Sequence, residues 1–119
     1  MLTPGGILPF FRVLAHDGEP FAYASIWQKK NLVLVLLPTS GAEPCLADLQ
    51  RRMSDLTAYE TACVITRDHV PGLPSPGVAV ADRWGELFFV GDGLAPVDEL
   101  IEWLRYAQMQ CPECRGEER

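Results

Sequence analysis

The chain has 119 residues, 48% of them apolar and 22% charged, which is the size and mixture of one globular domain with its own core rather than of a disordered segment. A formal net charge of −6, with no basic run longer than Lys29-Lys30 or Arg51-Arg52, leaves no footprint for a phosphate backbone or an anionic membrane surface. The longest aliphatic run, residues 32–37, is far too short to span a bilayer, and the N-terminus lacks the basic-then-apolar layout of a signal peptide. Neither nucleic acid nor membrane is an expected partner, and the expected compartment is the cytoplasm.

Residues 1–9 are rich in Pro and Gly and read as an irregular lead-in. A β-prone run, residues 10–14, ends at the turn signal His16-Asp17-Gly18, so a first hairpin is expected there. Asn31 then opens six consecutive aliphatics stopped by Pro38, the pattern of a central strand covered on both faces. From Cys45 the period changes: Leu46, Leu49, Met53 and Leu56 fall at helical spacing, and Pro44 suits the first helical position. Residues 62–66 read as a second buried strand, which makes the helix the crossover of a parallel βαβ unit.

A Pro-rich loop, residues 69–76, follows. Residues 77–81 and 87–90 then form two strands joined closely enough for an antiparallel hairpin. Pro96 opens a last helix with Asp98 and Glu99 in its first turn and Val97, Leu100, Ile101 and Leu104 as its apolar stripe. No linker splits the chain, so one domain is expected over residues 1–110, with 111–119 a short, charged, mobile tail carrying Cys111-Pro112-Glu113-Cys114. The order implies an α/β fold with a mixed sheet and helices on both of its faces. On the last strand, Phe88 and Phe89 are expected to face opposite sides, one ring buried and the other either covered by a helix or exposed for association, and a homodimer through that hairpin is a possible partnership.

With a cysteine at the start of the first helix, this order resembles the thioredoxin-fold superfamily over roughly Pro9 to Gln110. Pro9-Phe10, Asp17-Gly18 and Asn31-Leu32-Val33-Leu34 are similar to the opening of the redoxin branch that holds the alkyl hydroperoxide reductase type peroxiredoxins. Pro76, six residues before Asp82, is similar to the superfamily's cis-proline. Peroxiredoxins carry a proline, a threonine four residues on, and the peroxide-attacking cysteine three residues after that. Pro38 and Cys45 keep this spacing, but Ala42 stands at the threonine position. In the alternative alignment, Ala42-Glu43-Pro44-Cys45 is a thioredoxin Cys-x-x-Cys motif whose first cysteine has become Ala42. The chain is also short, because the ten residues between Thr66 and Gly77 leave no room for the further helix that most redoxins insert there. Arg67 and Arg83 are the candidates for the arginine of a peroxide pocket.

The resemblance implies a thiol-dependent redox protein, a peroxiredoxin-like antioxidant or a disulfide oxidoreductase. Its substrate is then a hydroperoxide or a disulfide, and its partner a thiol reductant. Cys45 is the attacking thiol, since a cysteine in a helix's first turn faces unpaired N–H groups and the positive dipole end, which favour thiolate. Cys111 and Cys114 are a possible resolving pair, attacking an oxidised Cys45. Pro38, Ala42, Pro44 and Pro76 shape the site. No cofactor is expected, with one alternative: Cys111 and Cys114 as half of a four-thiolate zinc site shared between two chains. A further reading is a non-catalytic redoxin-like module that binds a partner protein. Cys63, inside an apolar strand, reads as an inert core thiol, and His16 and His69 as solvated. Tyr23, Trp27 and Trp84 read as packing aromatics.

Overall fold

The six aliphatics after Asn31 are at most 1% exposed, and the rest of the chain is arranged to cover them. The computed structural model describes residues 2–110. In chain order it has strands β1 (Arg12–Leu14) and β2 (Pro20–Ala22), a 3-10 turn (Tyr23–Ser25), strand β3 (Asn31–Leu36), helices α1 (Glu43–Arg51) and α2 (Met53–Leu56), strands β4 (Thr61–Thr66), β5 (Gly77–Ala81) and β6 (Leu87–Asp92), and helix α3 (Val97–Gln110). The main sheet has the order β4-β3-β5-β6. β3 and β4 are parallel, joined through α1 and α2, and the other two pairings are antiparallel. No helix among the described residues is long and apolar enough to cross a membrane.

Because side chains alternate along a strand, β3 feeds two cores. Val33, Val35 and Leu37 join Ile65, Val78 and Val80 beneath the helices, meeting Leu49 of α1, Leu56 of α2 and Leu100 and Leu104 of α3. Leu32, Leu34 and Leu36 point the other way with Val64, Ala79 and Ala81. That second face, expected to carry a helix as well, is covered instead by Leu8, by Phe11 and Val13 of the first hairpin, by Tyr23 of the 3-10 turn, and by Val70 and Leu73 of the 67–76 loop. The shortened crossover has no residues for a helix, so irregular backbone takes its place. The hairpin is fastened to the end of β4, where the Thr66 hydroxyl donates to Leu14 O at 2.6 Å and Asp68 Oδ2 accepts from Leu14 N at 2.7 Å.

The single helix expected from Cys45 to Leu56 breaks at Arg52, whose backbone leaves the helical region (φ −104°, ψ 19°). The Arg52 guanidinium reaches Asp55 Oδ2 and Asp98 Oδ1, both at 2.9 Å, and so links the break to the first turn of α3. Phe88 and Phe89 also depart from expectation. Val80 pairs with Phe89 but Ala81 pairs with Leu87, so Phe88 is the extra residue of a β-bulge. Strict alternation is broken there, and both rings turn toward α3: Phe88 meets Tyr106 and Phe89 stacks on Trp103.

At the β5–β6 turn the buried Asp82 accepts from Trp84 N at 2.9 Å and Glu86 N at 3.0 Å. Nearby, the Tyr23 hydroxyl is buried without a hydrogen-bond partner among the described residues, and burial, followed by the Asp82 charge, pushes its pKa up to about 12. Such a phenol holds its proton in the folded state and loses it more readily when unfolded. Its contribution is therefore complete below pH about 10 and is lost as pH rises toward about 12, a loss of about 2 to 3 kcal/mol. Denaturant titrations between pH 9 and 12 should show this decline. Tyr23→Phe should remove its part above pH about 10, while leaving the earlier contribution of Cys63, whose thiol burial also raises to about 12.

Candidate functional site

The register Leu36↔Gly77↔Asp92 gathers the loop after β3, the residues preceding β5 and those following β6 at one end of the sheet. Here α1 begins. Gly41 (φ 86°) and Ala42 (φ 67°) are successive left-handed residues, and Ala42 is the N-cap of α1 without a side-chain hydrogen bond. Glycine takes this conformation freely, whereas alanine does so at a cost of about 1–2 kcal/mol. Pro44 occupies the second helical position, one later than expected, and Cys45 the third.

Arg67, just past β4, holds this loop in place. Its Nη1 donates to Pro38 O at 2.7 Å and Gly41 O at 3.1 Å, and Nη2 lies 3.8 Å from Glu43 Oε2. The two candidate arginines are thereby separated. Arg67 is at the Cys45 loop, whereas Arg83 sits in the β5–β6 turn at the opposite end of the sheet, its carbonyl accepting from Gln28 N. The Ser75-Pro76 bond is cis, as the sequence suggests. Pro76 O accepts from Gly93 N at 3.0 Å, tying this loop to the segment that enters α3.

Cys45 is half-buried in an open groove of ≈ 500 Å³ between Pro44, Asp48 and Arg51 on one side and Leu94, Ala95 and Val97 on the other. The expectation of a lowered thiol pKa is overturned. Burial, and then the Asp48 carboxylate one turn along α1, hold the Cys45 thiol above its ordinary value. The signal was present in the sequence, since Asp48 is three residues after Cys45 and so shares its helix face. Asp48 also pairs with Arg51.

Cys63 pairs with Val33 in mid-strand and packs into the helix-side core, where burial pushes its thiol pKa up to about 12. His16 and His69 are exposed. Tyr23, Trp27 and Trp84 come together around the β5–β6 turn, with Trp27 Nε1 donating to Trp84 O at 3.3 Å. No three His, Cys, Asp or Glu residues converge as metal ligands among the described residues. Cys111 and Cys114 lie outside the described residues.

Solved structures with the same arrangement were found across nearly the whole chain. The mitochondrial 2-Cys peroxiredoxin of Plasmodium falciparum superposes with a TM-score of 0.72 at 11% identity, covering 98% of this chain and 99% of that one. The chain has the thioredoxin fold. A thiol:disulfide interchange protein of the thioredoxin family from Chlorobium tepidum TLS shares that fold at TM-score 0.62 and 14% identity, over 90% of this chain and 99% of that one. So does the thioredoxin domain of a thiol-disulfide oxidoreductase from Bacteroides vulgatus, at 0.56 and 12%, over 89% and 98%. No protein-family model matches the chain, and no curated protein matches it in sequence. The neighbours sharing the thioredoxin fold are thus thiol–disulfide oxidoreductases and peroxiredoxins, and their identities of 11–14% speak to fold alone.

Proposed function

We propose that the protein is a thiol-dependent redox protein in which Cys45 attacks a disulfide. The observation that carries this is the position of Cys45: an accessible thiol in the first turn of α1, in a groove at the end of a thioredoxin-fold sheet. Two features favour disulfide exchange over peroxide reduction: Ala42 offers no hydroxyl to a peroxide, and the Arg67 Nη1 is engaged by Pro38 O and Gly41 O.

In the reaction, Cys45 loses its proton and attacks one sulfur of the substrate disulfide, releasing the other as a thiolate. A second thiol then attacks Cys45 Sγ in the mixed disulfide and frees the bound half, and Cys111 and Cys114 are proposed to supply it.

The test treats the full chain with one equivalent of glutathione disulfide and, separately, of hydrogen peroxide, followed by non-reducing electrophoresis and peptide mapping. The expected products are a Cys45 mixed disulfide and then a disulfide joining Cys45 to Cys111 or Cys114, within one chain or between two, formed faster with the disulfide. A Cys45 that stays a free thiol under both treatments overturns the reading.

A further inference from the structure

The strongest feature outside the Cys45 site is an aromatic groove between the β6 edge and α3. The bulge at Phe88 turns its ring out of the alternation and onto α3, where Phe88 and Tyr106 meet edge-on (5.7 Å, 82°). Trp103 meets the same Tyr106 edge-on (5.7 Å, 87°), while its own plane is backed by Phe89 (5.2 Å, 12°). Two rings set nearly perpendicular to a third make an open corner. Tyr106 remains 48% exposed, more than core packing requires. The corner opens into a groove of ≈ 720 Å³ whose other walls are Pro4 and Gly5, and whose charged residues are Glu86 and Glu102. Glu102 is paired with Arg105 one turn on, and Glu86 has no ion pair among the described residues.

Aromatic faces attract cations through the ring quadrupole, and carboxylates beside them add a charge-assisted partner. We propose that this groove seats an arginine side chain from an extended segment of a partner protein, its guanidinium set in the corner between Trp103 and Tyr106, stacked on one ring with its edge to the other, and hydrogen-bonded to Glu86. Arginine suits the site better than lysine because its planar guanidinium both stacks and donates a fork of N–H groups to a carboxylate. A second copy of this chain is disfavoured, because a self-complementary contact here would set the groove's carboxylates against one another. The surface is independent of the Cys45 chemistry and stands whether or not that reading holds.

The test uses the full chain, labelled for amide and indole NMR, and the peptide acetyl-Gly-Gly-Arg-Arg-Gly-Gly-amide. The expected result is shifts confined to the groove, at Glu86, Phe88, Glu102, Trp103 and Tyr106, with affinity at least tenfold weaker for Glu86→Gln/Glu102→Gln and for the same peptide with citrulline in place of arginine. Equal binding of the citrulline peptide, or shifts spread elsewhere, overturns the proposal. Three further outcomes give the groove another occupant and equally overturn it. Tetramethylammonium binding as tightly as the peptide marks a free alkylammonium ligand. Shifts that grow with protein concentration alone mark a second copy. Groove signals that change in peptide-free Arg115→Gln/Arg119→Gln protein mark the chain's own C-terminal residues.

Discussion

Gly77→Ala is expected to destabilise the protein by about 3 kcal/mol or more, the upper part of the range for overpacking a tight site. Gly77 has an ordinary φ, so the reason is space. A Cβ there would run into Pro74 O and come within 2.9 Å of Gly91 O, with Pro74 Cγ at 2.8 Å. Two of these three atoms are backbone carbonyls, one from the loop before β5 and one from β6, and neither can turn aside like a side chain. For a domain of about 100 residues such a loss lowers the melting temperature by roughly 12 °C or more. Gly91 supplies the control. The atoms nearest its Cβ are Val78 Cγ2 at 2.9 Å and the Phe89 ring at 3.0 and 3.1 Å, which can rotate away, so Gly91→Ala should be milder. Thermal melts of both variants check this, and a Gly77→Ala melting point within a few degrees of the parent's would show that the loop yields easily. Because that loop lies at the Cys45 end of the sheet, Gly77→Ala is also expected to change the alkylation rate of Cys45.

The elements that could be read from sequence are those fixed by local pattern. The run after Asn31 can only be a strand buried on both faces, and the change of period at Cys45, with Pro44 before it, marks a helix to within a residue or so. What sequence did not show depends on contacts distant in the chain. The bulge at Phe88 shows only in how β6 registers against β5, so alternation alone sets Phe88 and Phe89 on opposite sides, whereas both rings meet α3. The helix break at Arg52 accompanies a bond to Asp98, 46 residues away, while the hydrophobic spacing runs through it without interruption. Helical cover on the second face was an inference from element count, and counting could not show that irregular segments would close that core.

The site was legible in position and misjudged in electrostatics. Chain order alone placed Cys45 at the start of a helix, and Pro76 was correctly read as cis. Sequence could not weigh the helix's favourable field against burial in the groove and the like-signed charge of Asp48, because burial is a property of the packed chain. Nor could it choose between Arg67 and Arg83, which only the sheet separates to opposite ends. Arg67 acts on the Cys45 loop through the carbonyls of Pro38 and Gly41, a role visible only once β4 is laid beside β3.

This electrostatic balance sets the second large effect, the reactivity order of the thiols. Alkylation rate follows thiolate fraction, so at pH 7 Cys45 should react with iodoacetamide more slowly than an unstructured cysteine, its rate climbing well into the alkaline range. Cys63, with its pKa pushed up to about 12, should react roughly 100- to 1000-fold more slowly than an ordinary thiol while the protein is folded. Asp48→Asn tests the second cause directly. Removing the carboxylate leaves the burial of Cys45 in place but takes away a charge that disfavours thiolate, so the Cys45 pH–rate profile should move toward lower pH and its rate at pH 7 should rise several-fold. Thiolate fraction limits disulfide exchange too, so the same substitution should speed the reaction of Cys45 with glutathione disulfide. If instead Cys45 in the parent protein alkylates at pH 7 faster than an unstructured thiol, the helix terminus outweighs burial and Asp48.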